Sequence, residues 1–135
     1  MVRASRGLVV YVDNGKKCLF YVILCDPIPG SGLFLTVTFT DAMLYDNPWL
    51  WKVGTKITPA WPLEKDSVLH IHPVRMRDQS WLDESCRKAV GTCSERNLKL
   101  IVCNLCLLHD RIDPYDKAIF ERYREEWCTA ECDDI

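Results

Sequence analysis

Two apolar runs open the chain, LVVYV at residues 8–12 and CLFYVIL at residues 18–24, with Asn14-Gly15 between them. Asn-Gly supplies the positive φ angles of a type I′ turn, so the pair is expected as an antiparallel β-hairpin. CDPIPGSG, residues 25–32, is a turn rich in proline and glycine. In LFLTVTF, which follows, Leu33, Leu35, Val37 and Phe39 alternate with Thr36 and Thr38. That period of two predicts a half-buried strand. The next stretch, DAMLYDNPWLWKVGTKITPAWPLEKD, is irregular, carries three tryptophans and three prolines, and leaves room for at most one short strand, around residues 52–57. SVLHIHPV predicts a short strand ending at Pro73, because proline cannot donate to a ladder. His70 and His72, two apart, would share one face of it.

The second half changes period. Ser94 can cap a helix that begins at Glu95, and Leu98, Ile101, Val102, Leu105 and Leu108 then recur at helical spacing. Asp113-Pro114 is a cap followed by proline at the first helical position. The helix after it would bury Ile119, Phe120, Tyr123 and Trp127 and turn Asp116, Lys117, Arg122, Arg124 and Glu125 to water. Strands, a proline-rich irregular segment and then helices predict an α+β fold: an antiparallel β-meander with C-terminal helices on one face or edge.

Composition narrows the function classes. With 135 residues the chain is expected to be one domain, residues 1–135, and 48% hydrophobic content is enough for a core. A net charge of −2 leaves no electrostatic footprint for nucleic acid. No apolar run approaches the ~20 residues of a membrane span, so no membrane insertion is expected. MVRASRGLVVYV lacks the long apolar core of a secretory signal, which points to a cytoplasmic or nuclear chain whose eight cysteines are reduced thiols.

Two chemistries are worth weighing on those thiols. Cys103-x-x-Cys106 followed by His109 has the spacing of part of a zinc site, which His70 and His72 could complete. Its flanks are apolar, however, so buried helix residues are the expected reading, with a small zinc-binding interaction protein as the alternative. Cys86 and Cys93, and Cys128 and Cys132, are expected as core or boundary thiols. Cys86 has the best surroundings for a nucleophile, with Arg87 and Lys88 beside it. No phosphate loop, G-x-S-x-G or paired-carboxylate motif is present, and no cofactor is expected.

The order of the elements carries a resemblance. FYVILCDPIPGSGLFLTVTF resembles the second and third strands of the ubiquitin-conjugating domain, with Asp26-Pro27 for its Gly-Pro and Gly32-Leu33-Phe34 for its glycine and aromatic. LYDNPWLWKVGTKITP is similar to its Tyr-Pro and two-proline segment and its Thr-Lys-Ile strand, through Tyr45, Pro48, Lys52, Val53 and Thr55-Lys56-Ile57. RDQSWL resembles the tryptophan loop before the main helix, and LIVCNLCLLHDRIDPYDKAIFERYREEW that helix and its successor. The matches span residues 19–127.

The departures matter as much. Where the family carries His-Pro-Asn, this chain has Trp61-Pro62-Leu63, and DSVLHI puts Leu69 at the place of the catalytic cysteine. Leucine forms no thioester, and without the asparagine the oxyanion has no donor. The resemblance is therefore to the inactive variants of the family, and it implies an adaptor that binds another protein subunit, from the ubiquitin pathway or a scaffold. Residues 61–63, Leu69 and the two histidines would line a vestigial active-site groove. Docking would fall on Pro48-Trp49-Leu50 and on Ser80-Trp81, the loops that partners use in the family. Trp49 and Trp51 could equally be core plugs under a long loop. The family's N-terminal helix is lacking, which would leave one end of the sheet open for a partner to cover, and DESCRKAVGTC, residues 83–93, is an unexplained extra stretch. A divergent enzyme using Cys86 is the rival reading.

Overall fold

Strands β1 (Leu8–Asp13) and β2 (Cys18–Ile23) pair antiparallel from Val9 opposite Val22 to Asp13 opposite Cys18 in a computed structural model that describes residues 2–13, 15–43, 47–70, 75–108, 120–122, 124, 128 and 132. The hairpin expected from the sequence is present, but its connection spans residues 14–17 rather than two residues. Gly15 has φ +89°, and its N–H donates to the Asp13 carboxylate at 2.9 Å, which tightens the turn from inside. Strand β3 (Phe34–Val37) lies on the other side of β2. It departs from the half-buried expectation: Thr36 and Thr38 are buried along with Phe34, Leu35 and Val37, so β3 is covered on both faces. The Thr38 hydroxyl donates to the Phe20 carbonyl at 2.7 Å, and the strand breaks there and resumes as β4 (Phe39–Asp41).

Beyond β4 the chain makes two ribbons. β5 (Lys56–Thr58) contains most of the Thr-Lys-Ile segment and pairs with β6 (Trp61–Pro62); β7 (Ser67–Leu69) pairs with β4. Strand β8 (Arg75–Arg77) then joins β3, helix α1 (Gln79–Ser85) follows, and β9 (Cys86–Thr92) runs back along β1. The main sheet is thus five-stranded and antiparallel, in the order β8-β3-β2-β1-β9. The fold is α+β, and helix α2 (Glu95–Leu107) is capped by Ser94, whose hydroxyl accepts from the Asn97 N–H at 3.1 Å. Leu98, Ile101, Val102 and Leu105 of α2 enter the core with Val9, Val10, Val22 and Ile23.

Two expectations fail for identifiable reasons. The β1 edge is not open: the extra stretch becomes β9 and pairs with β1 across two register shifts. Having become the new edge, β9 carries Arg87 and Lys88, bulges and Gly91, the features that blunt edge-to-edge association. Nor are all eight cysteines thiols. Cys103 is bonded to Cys132 and Cys106 to Cys128, with Cα–Cα separations of 5.2 and 5.6 Å. The nested pairing, Cys106 to Cys128 inside Cys103 to Cys132, ties α2 to the chain's C-terminal segment. In that segment Phe120 is buried, and Glu121, Arg122 and Arg124 are helical and exposed. Asp113-Pro114, Asp116, Lys117, Ile119, Tyr123, Glu125 and Trp127 lie outside the described residues. Disulfides persist in oxidising surroundings, so the pairing departs from the expectation of eight reduced thiols. Among the described residues no helix is long and apolar enough to cross a membrane.

One glycine closes the sheet. The Gly7 N–H donates to the Ile23 carbonyl at 2.7 Å, and its own carbonyl accepts from the Cys93 N–H at 2.7 Å, so it joins the ends of β2 and β9. Its φ of +88° is a conformation that other residues adopt at a penalty, and a Cβ there would lie 3.3 Å from the Thr92 methyl. Gly7→Ala is therefore expected to lower stability by about 1–2 kcal/mol in urea unfolding. An unchanged midpoint would contradict this role.

Candidate functional site

The segment 47–51 is built around one buried amide. Asn47 donates through Nδ2 to the Leu69 carbonyl at 3.1 Å and to Asn104 Oδ1 at 3.2 Å. Asn104 Nδ2 returns to Asn47 Oδ1 at 3.4 Å, and the same oxygen accepts from the Trp49 N–H at 3.0 Å. Asn47 thereby closes an Asx-type turn over Pro48 and joins it to β7 and α2 at once. Trp51, two residues on, exchanges backbone hydrogen bonds with Ser67 (2.7 and 2.8 Å) and sets its ring edge-on to Phe39, centroids 5.2 Å apart. The two tryptophans part company. Trp51 is a core plug, whereas Trp49 is half-buried and faces a cleft.

That cleft, of about 370 Å³, is lined by Pro48, Trp49 and Leu50 on one side and Asn104, Leu107 and Leu108 of the α2 end on the other. A second, of about 630 Å³, lies across Leu50 and is lined by Met43, Val53 and the Asp41, Lys65 and Asp66 side chains. Among the described residues the large exposed apolar side chains are Met43 (89%), Leu50 (42%), Val53 (58%) and Leu107 (58%), and each lines one of these two clefts. Leu50 lines both. The rim is polar but tethered. The Met43 N–H and, after it, the Lys65 ammonium 3.1 Å away hold the Asp41 carboxyl below the usual range, and Asp66 accepts from the Val53 N–H at 2.9 Å.

The residues expected to line a vestigial groove separate into two places. Trp61, Pro62 and Leu63 line a groove of about 420 Å³ with Tyr11, Phe20 and Phe39. Trp61 stacks on Phe20 at 4.4 Å and meets Phe39 edge-on at 5.8 Å. Leu69 does not line that groove: it is fully buried in β7 and its carbonyl serves Asn47. His70 is half-buried, its N–H donating to the Thr38 carbonyl at 2.9 Å, and His72 lies outside the described residues.

Ser80 and Trp81 are helical rather than a loop. Asp78 caps α1 by accepting from the Trp81 N–H at 2.9 Å. The Trp81 ring meets Tyr21 edge-on at 5.7 Å and lies 4.7 Å under the Arg77 guanidinium. Neither residue lines the clefts at Leu50.

The cysteines offer little chemistry. Burial pushes the Cys86 thiol up, and its basic neighbours look elsewhere: Arg87 pairs with Asp13, and the Lys88 ammonium lies 5.9 Å from the Tyr11 ring centre. Burial, with Glu95 nearby, pushes the Cys93 thiol up to about 11, and burial raises that of Cys25. The zinc alternative loses its two sulfurs to disulfides, and His109 lies outside the described residues. Among the described residues no group of three or more His, Cys, Asp or Glu side chains could hold a metal ion.

The pair Asn47 and Asn104 was missed in the sequence. Its one trace there is a polar residue in the apolar stripe of α2, flanked by Cys103 and Leu105. Asn47→Ala leaves the Asn104 amide, the Leu69 carbonyl and the Trp49 N–H without their partner, and is expected to lower stability by about 2–4 kcal/mol. Asn104→Ala should cost less, and the double variant less than the sum, as read by urea unfolding in a double-mutant cycle. Strict additivity would show that the two amides do not act together. In the folded chain, iodoacetamide at pH 8 should label Cys86 and Cys93 more slowly than it labels an unfolded cysteine peptide. Rapid labelling of Cys86 would restore it as a nucleophile. No family model, curated protein or solved structure matches this chain.

Proposed function

We propose that this chain is a non-catalytic protein-interaction domain of ubiquitin-conjugating ancestry, an adaptor that grips another protein subunit at Leu50 and its neighbours. The observation that carries the reading is the convergence of Met43, Leu50, Val53 and Leu107 on two clefts that meet at Leu50. Contiguous exposed apolar surface with a polar rim is what protein partners cover. Trp49 adds a broad ring at low entropic cost, held ready by the Asn47 amide, so little ordering remains to be done on binding. Pro48, Trp49 and Leu50 are also the docking loop that the resemblance implies. Ser80 and Trp81, the other such pair, lie in α1 and line neither cleft.

The absence of a catalytic role rests on side-chain chemistry. Leu69 and Leu63 have no nucleophile or oxyanion donor to offer, and Cys86 is held as a thiol at neutral pH. The ubiquitin-pathway ancestry rests on the order of motifs along residues 19–127.

Affinity capture from the native source tests the reading, comparing the wild-type chain with Leu50→Asp and with Leu107→Asp. A partner held by the wild type should be lost by about tenfold or more in each variant, since a charge at an apolar contact forfeits more than 1.4 kcal/mol. Incubation with ATP, activating enzyme and ubiquitin should give no reducible adduct. Equal capture by all three chains, or an adduct that disappears in Cys86→Ser, would overturn the proposal.

A further inference from the structure

The two disulfides differ in the one property that decides access. Cys103 and Cys132 are 0% and 6% exposed, whereas Cys106 and Cys128 are half-buried. The bonds therefore form an inner, fully buried rung and an outer, partly exposed one. The outer rung stands on the same helical turn as the cleft. Asn104, Leu107 and Leu108 line the cleft from the end of α2; Cys106 immediately precedes Leu107, and Cys103, four residues before Leu107, shares its side of the helix.

No basic residue stands in the last turn of α2, and Leu108 closes the helix with N–H donation to the Asn104 and Leu105 carbonyls at 3.3 and 3.2 Å. Terminal turns fray unless something holds them. The Asn104 amide holds it on the cleft side, and the bond from Cys106 to Cys128 holds it to the C-terminal segment.

We infer that the Cys106–Cys128 bond is a redox latch on the docking cleft: a dithiol reductant opens it selectively, the last turn of α2 loosens, and the cleft loses one wall while the Cys103–Cys132 bond keeps the helix in place. The site regulated is the one assigned to partner binding above, so the inference rests on that reading for its biological meaning. In the step itself, a thiolate of the dithiol attacks one sulfur of the pair and the S–S bond breaks. The second thiol of the reductant then resolves the mixed disulfide. Cys106 and Cys128 leave as two thiols, having taken two electrons and two protons, and the reductant leaves as a disulfide. A disulfide oxidant resets the latch by the reverse exchange, leaving as a dithiol.

Graded dithiothreitol on the full chain under native conditions tests this, with alkylated cysteines mapped by mass spectrometry and amide exchange measured at each step. Cys106 and Cys128 should alkylate first, at reductant about tenfold below that needed for Cys103 and Cys132. In that half-reduced chain the amides of Trp49, Leu107 and Leu108 should exchange about tenfold faster, with Val10 and Val22 unchanged. Cys106→Ser with Cys128→Ser should show the same rapid exchange with no reductant present. Simultaneous opening of both bonds, prior opening of the inner one, or unchanged exchange at Trp49, Leu107 and Leu108 after alkylation would overturn the latch. These readouts need no partner, so the latch and the docking reading can fail separately.

Discussion

Two side-chain amides, on Asn47 and Asn104, meet inside this protein, and the geometry of its most exposed apolar surface depends on them. An amide buried without partners costs about 1–3 kcal/mol, so a loop that buries one is held to the arrangement that satisfies it. Here Asn47 reaches the Leu69 carbonyl, the Asn104 amide and the Trp49 N–H together. Strand β7, helix α2 and the turn at Pro48 are thereby fixed relative to one another by a single side chain. With that point set, Trp51 enters the core against Phe39, Trp49 flanks a cleft, and Leu50 is left between two clefts. A polar contact in the interior thus positions an apolar contact on the outside.

The rest of the fold supplies a platform for that arrangement. Strands β1, β2 and β3 carry fully buried Val9, Val10, Val22, Ile23 and Phe34, against which α2 packs Leu98, Ile101 and Leu105. Gly7 ties the ends of β2 and β9, and β9 covers an edge of β1 that would otherwise offer unpaired backbone. The same strand carries Arg87 to Asp13, which holds that carboxyl below its usual range. Apolar exposure among the described residues is thus concentrated near Leu50 rather than spread along a sheet edge. The disulfides act at the opposite end of the logic. They bind the second half of α2 to Cys128 and Cys132 near the C-terminus.

Local signals in the sequence carried what they could carry. Asn14-Gly15 between apolar runs foretold the hairpin, and Ser94 before an apolar stripe foretold the start of α2. The α+β arrangement with an antiparallel sheet follows from those elements. Strand β9 was illegible because CRKAVGT has no apolar alternation; it exists through pairing with β1, not through burial of a face. The short ribbons β4–β7 and β5–β6 are likewise products of tertiary pairing. Thr36 and Thr38 misled because alternation marks which residues share a face, not whether both faces are covered. The α1 start was readable after all in Asp78 three residues before Trp81, a cap signature overlooked beside the tryptophan. The cysteines had the spacing of facing helices, three apart in α2 and four apart near the C-terminus, yet spacing alone does not tell a paired sulfur from a core thiol. Of the candidate site, Pro48, Trp49 and Leu50 were legible, while their anchor Asn47 and the far wall at Leu107 were not, since both depend on how the loop meets α2.

The central claim is that this chain works by holding another protein at Leu50 and the end of α2. A photo-crosslinking amino acid placed singly at Leu50, Leu107, Ala89 and Glu64, each chain irradiated in the native source, tests it most directly. Ala89 samples the β9 edge and Glu64 the aromatic groove. The account requires one common protein crosslinked from positions 50 and 107 and absent from 89 and 64. Crosslinks from 89 or 64, with none from 50 and 107, would move the working surface elsewhere and contradict it.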